Sequence, residues 1–402
     1  MKILQINTVC GFGSTGRTCT ELADALKKQG HECYIAYGQL STDYKDSYKI
    51  GSILENHIHN ICSRITGKQG YFTKNGTKNL IKYIKTINPD VIHLRNLHGN
   101  YLNLEILFNY LALANKPVVW TLHDCWAYTG KCAHYTDIGC YKWQTQCNHC
   151  PQVKKYPPSV YFDRSKVMFE DKKKWFNSVK NMTIIPVSNW LAGEVKQSFF
   201  AKYPIVPIYN WIDQTIFKPT TQNIRKKLGI DENTFVILGV SAEWISNNNK
   251  LQDFIKLSQL ITSDMQIVLV GGTKMKDSLP DNIIHIPYLK NTTELALIYS
   301  MADVYVHLSV EDTFGKVIAE AMSCGTPAIV YNSTACPEII GERCGYVVEK
   351  GDIEEIFNRI NSINAHGKNY YKDHCISHVQ NNFDISQNTA KTIERYKSML
   401  NS

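Results

Sequence analysis

Short apolar runs alternate with amphipathic stretches along most of this chain. Ile3–Asn7, Glu32–Tyr37, Val91–Leu94, Val118–Leu122, Ile184–Val187 and Ile205–Tyr209 read as strands. Between them, stretches near Thr18–Gln29, Leu80–Ile87 and Leu102–Ala112 carry apolar residues at helical spacing. The pattern restarts with strands at Thr234–Val240, Gln266–Val270, Ile283–Ile286, Val304–Leu308 and Ala328–Tyr331, and helices at Leu251–Ile261 and Thr293–Met301. Such alternation predicts an α/β fold, with parallel sheets covered by helices on both faces. Asn210–Gln222 carries turn residues and Pro219 and reads as a linker. The expectation is two doubly wound domains, with ligands bound in a cleft between their carboxyl-end loops.

Glu311–Pro327, E-D-T-F-G-K-V-I-A-E-A-M-S-C-G-T-P, is the most informative stretch. The preceding strand breaks at Phe314-Gly315, and a helix follows with Val317, Ile318, Ala321 and Met322 on one face. Gly325-Thr326-Pro327 stops it. Asp312 and Glu320 therefore lie across a strand-to-helix turn. The free amides of that turn are a seat for phosphate, with Lys316 at its mouth. Carboxylates grip sugar hydroxyls, and amides with a lysine grip a diphosphate, so the stretch predicts a nucleotide-sugar site.

The length of 402 residues and the hydrophobic fraction of 44% give room for two full cores. No apolar run reaches the roughly 18 residues of a membrane span. Met1–Asn7 is too short and polar for a signal peptide and reads as a first strand, so a cytoplasmic address is expected. There the 13 cysteines are thiols or metal ligands rather than disulfides. The net charge of +8 is uneven: residues 1–205 hold 26 Lys+Arg against 14 Asp+Glu, and the remainder 18 against 22. A basic first half suits an anionic partner or leaflet, or is a scattered solvated excess. No nucleic-acid motif accompanies it. Lys166–Lys180 is a basic helix with Trp175 and Phe176, a candidate for peripheral contact with the inner leaflet or an ordinary surface helix.

Gly11-Phe12-Gly13-Ser14-Thr15-Gly16 matches the dinucleotide fingerprint by spacing. The second strand, however, ends Ala36-Tyr37-Gly38-Gln39, without the acid that holds a ribose. The loop is then an approach for phosphate or sugar at Gly13, with Arg17 nearby, or a tight structural turn. Val118–Leu122 ends in His123-Asp124, where Asp124 can orient the His123 ring. His93–Asn100, with His98, is a candidate cleft lining or simple packing. No D-x-D occurs, so a metal-bridged diphosphate is unsupported. Cys125, Cys132, Cys140, Cys147 and Cys150 crowd the polar stretch Asp124–Pro151. Cys132, Cys140, Cys147 and Cys150 make a candidate structural zinc site, with His134 or His149 as substitutes. Free thiols or a disulfide are the alternatives.

With these pieces the chain resembles the retaining glycosyltransferases of family 4, which have the GT-B fold: two Rossmann-like doubly wound domains facing across a cleft. The resemblance covers nearly the whole length. It rests on the glycine loop, Thr121-Leu122-His123-Asp124, Val187-Ser188-Asn189, Asn210 with Ile212-Asp213 and Phe217-Lys218-Pro219, and the Glu311–Pro327 signature. It is strongest to the bacterial members that build O-antigen, capsule and exopolysaccharide. It implies transfer of a hexose from a UDP- or GDP-sugar to a saccharide or polyprenyl-diphosphate-linked acceptor. It further implies retention of configuration by front-face attack, and no cofactor for catalysis.

Registering on Phe314-Gly315 puts the first family acid on Asp312, with Glu311 as its alternative, and the second on Glu320. The resemblance gives donor hexose to Asp312, ribose to Glu320, and the pyrophosphate surroundings to Phe314, Gly315, Lys316 and Val317. It sets Gly13 on the donor side, His123 beside the reacting sugar, and Arg17, His98 and Asp124 on the acceptor side. The family's Arg–Lys pair is incomplete: Ser241–Lys250 has no arginine, and the lysine register falls on Asn249. Lys250 or Lys316 is therefore expected to supply the charge. The implied domains are 1–209 on the acceptor side with a Cys-rich insert at about 124–151, a linker at 210–222, and a nucleotide-sugar domain at 223–385. A C-terminal helix, 386–402, is expected to pack back on the first domain. The rival readings are a GT-B-fold epimerase or phosphorylase and a non-catalytic nucleotide-sugar binder, which donor turnover separates.

Overall fold

The computed structural model describes residues 1–222, 224–246, 248–274 and 278–401. Asn223 at the head of the expected second domain, Asn247 in the Ser241–Lys250 stretch and Ser402 lie outside the described residues. The chain divides into two compact units, Met1–Tyr209 with Asn388–Ser402, and Asn210–Gln387.

The first unit holds strands β1 (Lys2–Asn7), β2 (Glu32–Tyr37), β3 (Ser47–Lys49), β4 (Val91–Leu94), β5 (Val118–Leu122) and β6 (Met182–Pro186). They form one parallel sheet in the order β3-β2-β1-β4-β5-β6. Helices α1 (Gly13–Lys28), α2 (Ile53–Thr66), α3 (Lys74–Ile87), α4 (Leu104–Ala114), α5 (Ser165–Phe176) and α6 (Asn189–Lys196) connect them. Every residue of β4, β5 and β6 is buried, which is why these strands read as continuous apolar runs rather than as alternation.

Four expectations change here. The helix after the glycine loop starts at Gly13, not near Thr18, so Gly13–Gly16 of the loop is its first turn. The Gly11 amide donates to the Gly16 carbonyl at 3.0 Å, and a Cβ on Gly16 would stand 3.1 Å from the Gly11 nitrogen. Ile205–Tyr209 is no strand. It makes isolated bonds from Val206 and Ile208 to the carbonyls of Ile184 and Pro186, because Pro204 and Pro207 lack the donors that a ladder needs. α5 turns Trp175 and Phe176 inward, with the Phe176 ring 4.4 Å from that of Phe108, and shows solvent Lys166, Glu170, Lys173 and Lys174. The aromatic residues expected to meet a leaflet are core residues. The Cys-rich insert, finally, is not a bare polar stretch, since it buries Trp126, Tyr128, Tyr135 and Trp143.

α2 has an inverted pattern. It buries Asn56, His59 and Ser63, while Ile53, Leu54, Ile58, Ile61 and Ile65 are 46–75% exposed. Its buried polar groups are satisfied: Asn56 donates to the Gly38 carbonyl at 2.9 Å, and His59 Nδ1 bonds the Thr73 hydroxyl at 2.6 Å.

The second unit holds β7 (Phe235–Ile245), β8 (Met265–Lys274), β9 (Ile283–Ile286), β10 (Val304–His307), β11 (Ala328–Tyr331) and β12 (Gly345–Val348), parallel in the order β12-β11-β10-β7-β8-β9. Its helices are α7 (Asn249–Ser258), α8 (Thr292–Met301), α9 (Lys316–Ser323), α10 (Cys336–Ile339), α11 (Ile353–His366) and α12 (Lys368–Asn382). Ser241–Ile245 is strand rather than loop: beyond a bulge, Glu243–Ile245 pairs with Gly272–Lys274, and buried Trp244 donates to the Val270 carbonyl at 3.1 Å. A last helix, α13 (Ile385–Leu400), returns the chain to the first unit. There Tyr396 bonds buried His93 at 2.6 Å and Arg395 bonds Thr183 at 2.6 Å, so His93 serves packing rather than a ligand.

Candidate active site

Each sheet reverses strand order once, between β1 and β4 and between β7 and β10. Loops at the carboxyl ends of such switch points are where open α/β sheets bind ligands. The sequence-predicted residues fall into two clusters, one on each unit.

In the second unit the cluster is built from β10 outward. The Tyr305 hydroxyl lies 2.9 Å from His307 Nδ1, and His307 Nε2 lies 2.7 Å from Asp312 Oδ2. Burial pushes the Tyr305 phenol well above its ordinary value, so it stays a donor. Nδ1 is then the acceptor, and the Nε2–H donates to Asp312. Burial alone raises the Asp312 carboxyl, but His307, with Lys250 and Ser309, outweighs it and holds the acid well below the usual carboxylate range. The Asp312 backbone is pinned on both sides, its amide donating to Thr334 Oγ1 at 3.1 Å and its carbonyl accepting from the Ala335 amide at 3.2 Å. The side chain is 32% exposed and can meet a ligand while remaining ionised. Among the described residues, His307, Asp312 and Cys336 are the set whose ligand atoms lie within 4.8 Å of one another. Burial, then Asp312, pushes the Cys336 thiol up, so it stays protonated. Tyr305, His307 and Asp312 form a hydrogen-bonded relay, with the Cys336 thiol beside it.

α9 opens on Gly315 at φ +75°, where a Cβ would stand 2.6 Å from Ile318 Cδ1. The amides of Lys316 and Val317 come ahead of the first bond of the turn, from the Ile318 amide to the Gly315 carbonyl at 2.9 Å. The Phe314 ring is buried against Phe383, centroids 5.3 Å apart, so this residue serves the turn through its backbone only. Glu320 is 2% exposed, with the Tyr299 hydroxyl 3.3 Å from Oε2, which excludes a solvated helix glutamate. Lys250 is the second residue of α7, its amide capped by Asn248 Oδ1 at 3.0 Å, and its charge is felt by Asp312. Glu311 is half-buried beside Asp312.

In the first unit, Arg95, His98, His123 and Asp124 line one small cavity at the ends of β4 and β5. Asp124 does not orient His123. Its Oδ2 lies 2.6 Å from His98 Nε2, and its Oδ1 accepts from the Trp126 amide at 2.9 Å. Burial pushes the Asp124 carboxyl up, but His98 beside it pulls harder, taking it down to about 2. His123 is held by Arg95, whose Nη2 lies 3.0 Å from His123 Nε2 and 2.6 Å from the Thr18 hydroxyl. A guanidinium can only donate, so His123 Nε2 accepts and the ring carries its proton on Nδ1. Gly13 is exposed at φ +62°, and a Cβ there meets nothing within 4 Å, leaving room for a ligand. Arg17 is half-buried one turn along α1. Nearby, Tyr37, Leu40, Lys49, Ile53, His57 and Asn100 help line an open pocket of about 790 Å³.

Sequence reasoning reached Arg95 only as part of the His93–Asn100 stretch, without its tie to His123, and missed His307, Tyr305 and Thr334. The signal for Arg95 and His307 was position: each is a polar group where an apolar strand ends.

The Glycosyltransferase Family 4 model matches residues 15–215, and the Glycosyl transferases group 1 model matches residues 220–373. The putative colanic acid biosynthesis glycosyl transferase WcaC of Escherichia coli K12 is 24% identical over 376 residues, covering 89% of each chain. The UDP-Gal:alpha-D-GlcNAc-diphosphoundecaprenol alpha-1,3-galactosyltransferase of Escherichia coli is 25% identical over 228 residues, 51% of this chain and 57% of that one. Among solved structures, Anabaena Alr3699/HepE in complex with UDP superposes with a TM-score of 0.69 at 16% identity, over 99% of this chain and 100% of that one.

Proposed function

The chain belongs to glycosyltransferase family 4 and is a GT-B-fold glycosyltransferase; on that premise we propose that it moves a hexose from a UDP- or GDP-sugar to a lipid-linked saccharide in bacterial surface-polysaccharide assembly. The observation that carries this is the ionised, pinned Asp312 beside Lys250 and the open amides of Lys316 and Val317. Asp312 Oδ1 accepts from a donor hydroxyl while Oδ2 stays with His307. The Lys316 and Val317 amides take the diphosphate, and Lys250 and Lys316 neutralise it in place of the missing arginine. Glu320 takes the ribose hydroxyls from its buried seat. His123 is assigned beside the reacting sugar, with its ring proton on Nδ1. With retention by front-face attack, the leaving diphosphate accepts the acceptor's proton, and the chain supplies position and leaving-group stabilisation.

The acceptor side rests on the 790 Å³ pocket, whose Lys49 and His57 suit a diphosphate and whose Asn60 and Asn100 suit a saccharide. Ile53 leads from it onto the exposed apolar face of α2, which with Arg64 suits an anionic leaflet carrying a polyprenyl tail. A diphosphoundecaprenol acceptor is named for the Escherichia coli galactosyltransferase relative.

A binding screen of UDP- and GDP-sugars, followed by transfer to bacterial lipid extracts, tests the reading. Transfer unchanged in both Lys250→Ala and Lys316→Ala sinks the assignment of charge. Flotation with anionic vesicles tests the membrane face. The wild type floats and Ile58→Lys/Ile61→Lys does not, whereas a wild type that stays at the bottom, or that pairs with a second copy through α2, removes it.

A further inference from the structure

The Cys-rich insert holds a cysteine cluster around a cavity of its own. Residues 123–164 run from β5 to α5 with no regular element beyond a three-residue 3-10 turn, Lys142–Gln144. A stretch this long without its own ladder is uncommon inside a compact domain and needs another source of order. Part of it is the aromatic cluster, where the Trp143 ring lies 4.9 Å from Tyr128 and 5.1 Å from Tyr135. Beside that cluster, Cys132, Cys140, Cys147 and Cys150 line one cavity of about 20 Å³, room for a single ion or water. None of the four forms a disulfide.

Two backbone amides are directed at the sulfurs. The Gly130 amide donates to Cys147 Sγ at 3.1 Å, and a Cβ at Gly130 would stand 2.7 Å from the Cys147 Cβ, so only glycine permits this approach. The Gln152 amide bonds the Cys150 sulfur in the same way. Two lysines are buried against the cluster, Lys131 at 3% exposure and Lys172 at 1%. Lys131 Nζ donates to the carbonyls of Lys155 and Pro157, and Lys172 Nζ to those of Trp126 at 2.7 Å and Thr129 at 3.0 Å. Among the described residues neither pairs with a carboxylate. Two buried ammonium groups are costly without anions; the Cys132 and Cys150 sulfurs and Asp163 act on Lys131, and the Cys147 and Cys132 sulfurs and Asp124 act on Lys172. A zinc tetrathiolate carries a double negative charge, which two ammonium groups balance.

We propose that Cys132, Cys140, Cys147 and Cys150 form a structural zinc site, with Lys131 and Lys172 balancing its charge and the Gly130 and Gln152 amides bonding two of its sulfurs. The sulfurs share the cavity without three of them drawing within 4.8 Å, so binding closes the set by χ1 rotation and releases the four thiol protons. Four thiolates fill a tetrahedral ion and leave no position for substrate, so the metal holds the insert rather than reacting. The insert leaves β5 directly after His123-Asp124, and its Tyr156 bonds His98 at 2.7 Å, so the clip bears on the acceptor-side cluster.

The test is elemental analysis of full-length protein made in zinc-replete medium and purified under reductant without chelator. About one zinc per chain is expected, lost in Cys147→Ser/Cys150→Ser and kept in Cys62→Ser on α2. The wild type provides a readout independent of variant folding. Exchange with cobalt gives sulfur-to-cobalt charge-transfer and tetrahedral d–d bands, and a strong chelator lowers the thermal midpoint until zinc is restored. Wild-type protein well below stoichiometric zinc with no cobalt spectrum, zinc retained in the double variant, or a Cys147–Cys150 disulfide in peptide maps overturns the proposal.

Discussion

Asp312→Asn isolates the first acid. In the wild type His307 Nε2–H occupies Oδ2 at 2.7 Å, which leaves Oδ1 for the donor sugar. In the variant the amide oxygen must take the His307 proton, so the amide nitrogen faces the sugar and can only donate. One hydrogen bond to an ionised acceptor is lost, worth about 1.5–3 kcal/mol. That corresponds to a fall in kcat/KM of about 10- to 150-fold. Asp312→Glu keeps the charge and loses less than about 10-fold. His307→Gln removes the imidazole that holds the acid down, so the acid limb of the pH–rate profile moves upward while Asp312 still reaches the sugar. Initial rates with radiolabelled donor, and calorimetric donor binding, measure each variant. Asp312→Asn within about 3-fold of wild type, or an equal loss in Glu311→Gln with Asp312→Asn unaffected, refutes the assignment.

Asp124 is depressed from 3.8 to about 2, so its stabilisation is present above the unfolded value and is lost as pH falls through the folded one. The wild type should lose about 2 kcal/mol between pH 4 and 2 that Asp124→Asn does not lose, and parallel urea-denaturation curves for the two contradict this. Gly315→Ala forces a side chain into φ +75° and toward Ile318, costing about 1–2 kcal/mol and lowering the thermal midpoint by about 2–8 °C, with a rise in donor KM. An unchanged melt and KM show that the α9 entry tolerates a Cβ. Arg95→Met frees His123 Nε2, so nitrogen NMR should show the proton shared between both ring positions instead of held on Nδ1, and transfer should fall by about tenfold. A single Nδ1–H tautomer in the variant means that Arg95 does not set it.

The sheets were legible because parallel strands buried on both faces leave apolar runs that no surface requirement interrupts, as in Val118–Leu122 and Val304–His307. α2 escaped because its apolar residues point outward and its inward residues are Asn56, His59 and Ser63. A periodicity rule that assigns polar positions to solvent has nothing to find there. α5 misled in the opposite sense, since its Lys-rich run hides Trp175 and Phe176 on the buried face. At the site, the Phe-Gly turn and both acids were readable because a broken strand followed by a helix is a local signal. The partner of each charged group was not. Asp124 was assigned to its neighbour His123, yet the chain carries His98 to it from the end of another strand, and Arg95 takes His123 instead. Such pairings depend on which strands lie side by side, which a sequence shows only through the topology.

The three histidines at these carboxyl ends bear on where the acceptor's proton goes. His123 Nε2 accepts from Arg95. His307 spans Tyr305 and Asp312, and His98 spans Tyr156 and Asp124. Each is therefore committed at one ring nitrogen or both to a neighbour that fixes its tautomer, and the His123 proton sits on Nδ1, away from Arg95. Asp312 is ionised but held well below the usual range, and a carboxylate that weak as a base removes little from a sugar hydroxyl. Among the described residues the proposed site thus orders its groups as donors and fixed charges. The strongest base arriving in such a site is the diphosphate that the reaction itself releases, the base that the proposed front-face retention requires.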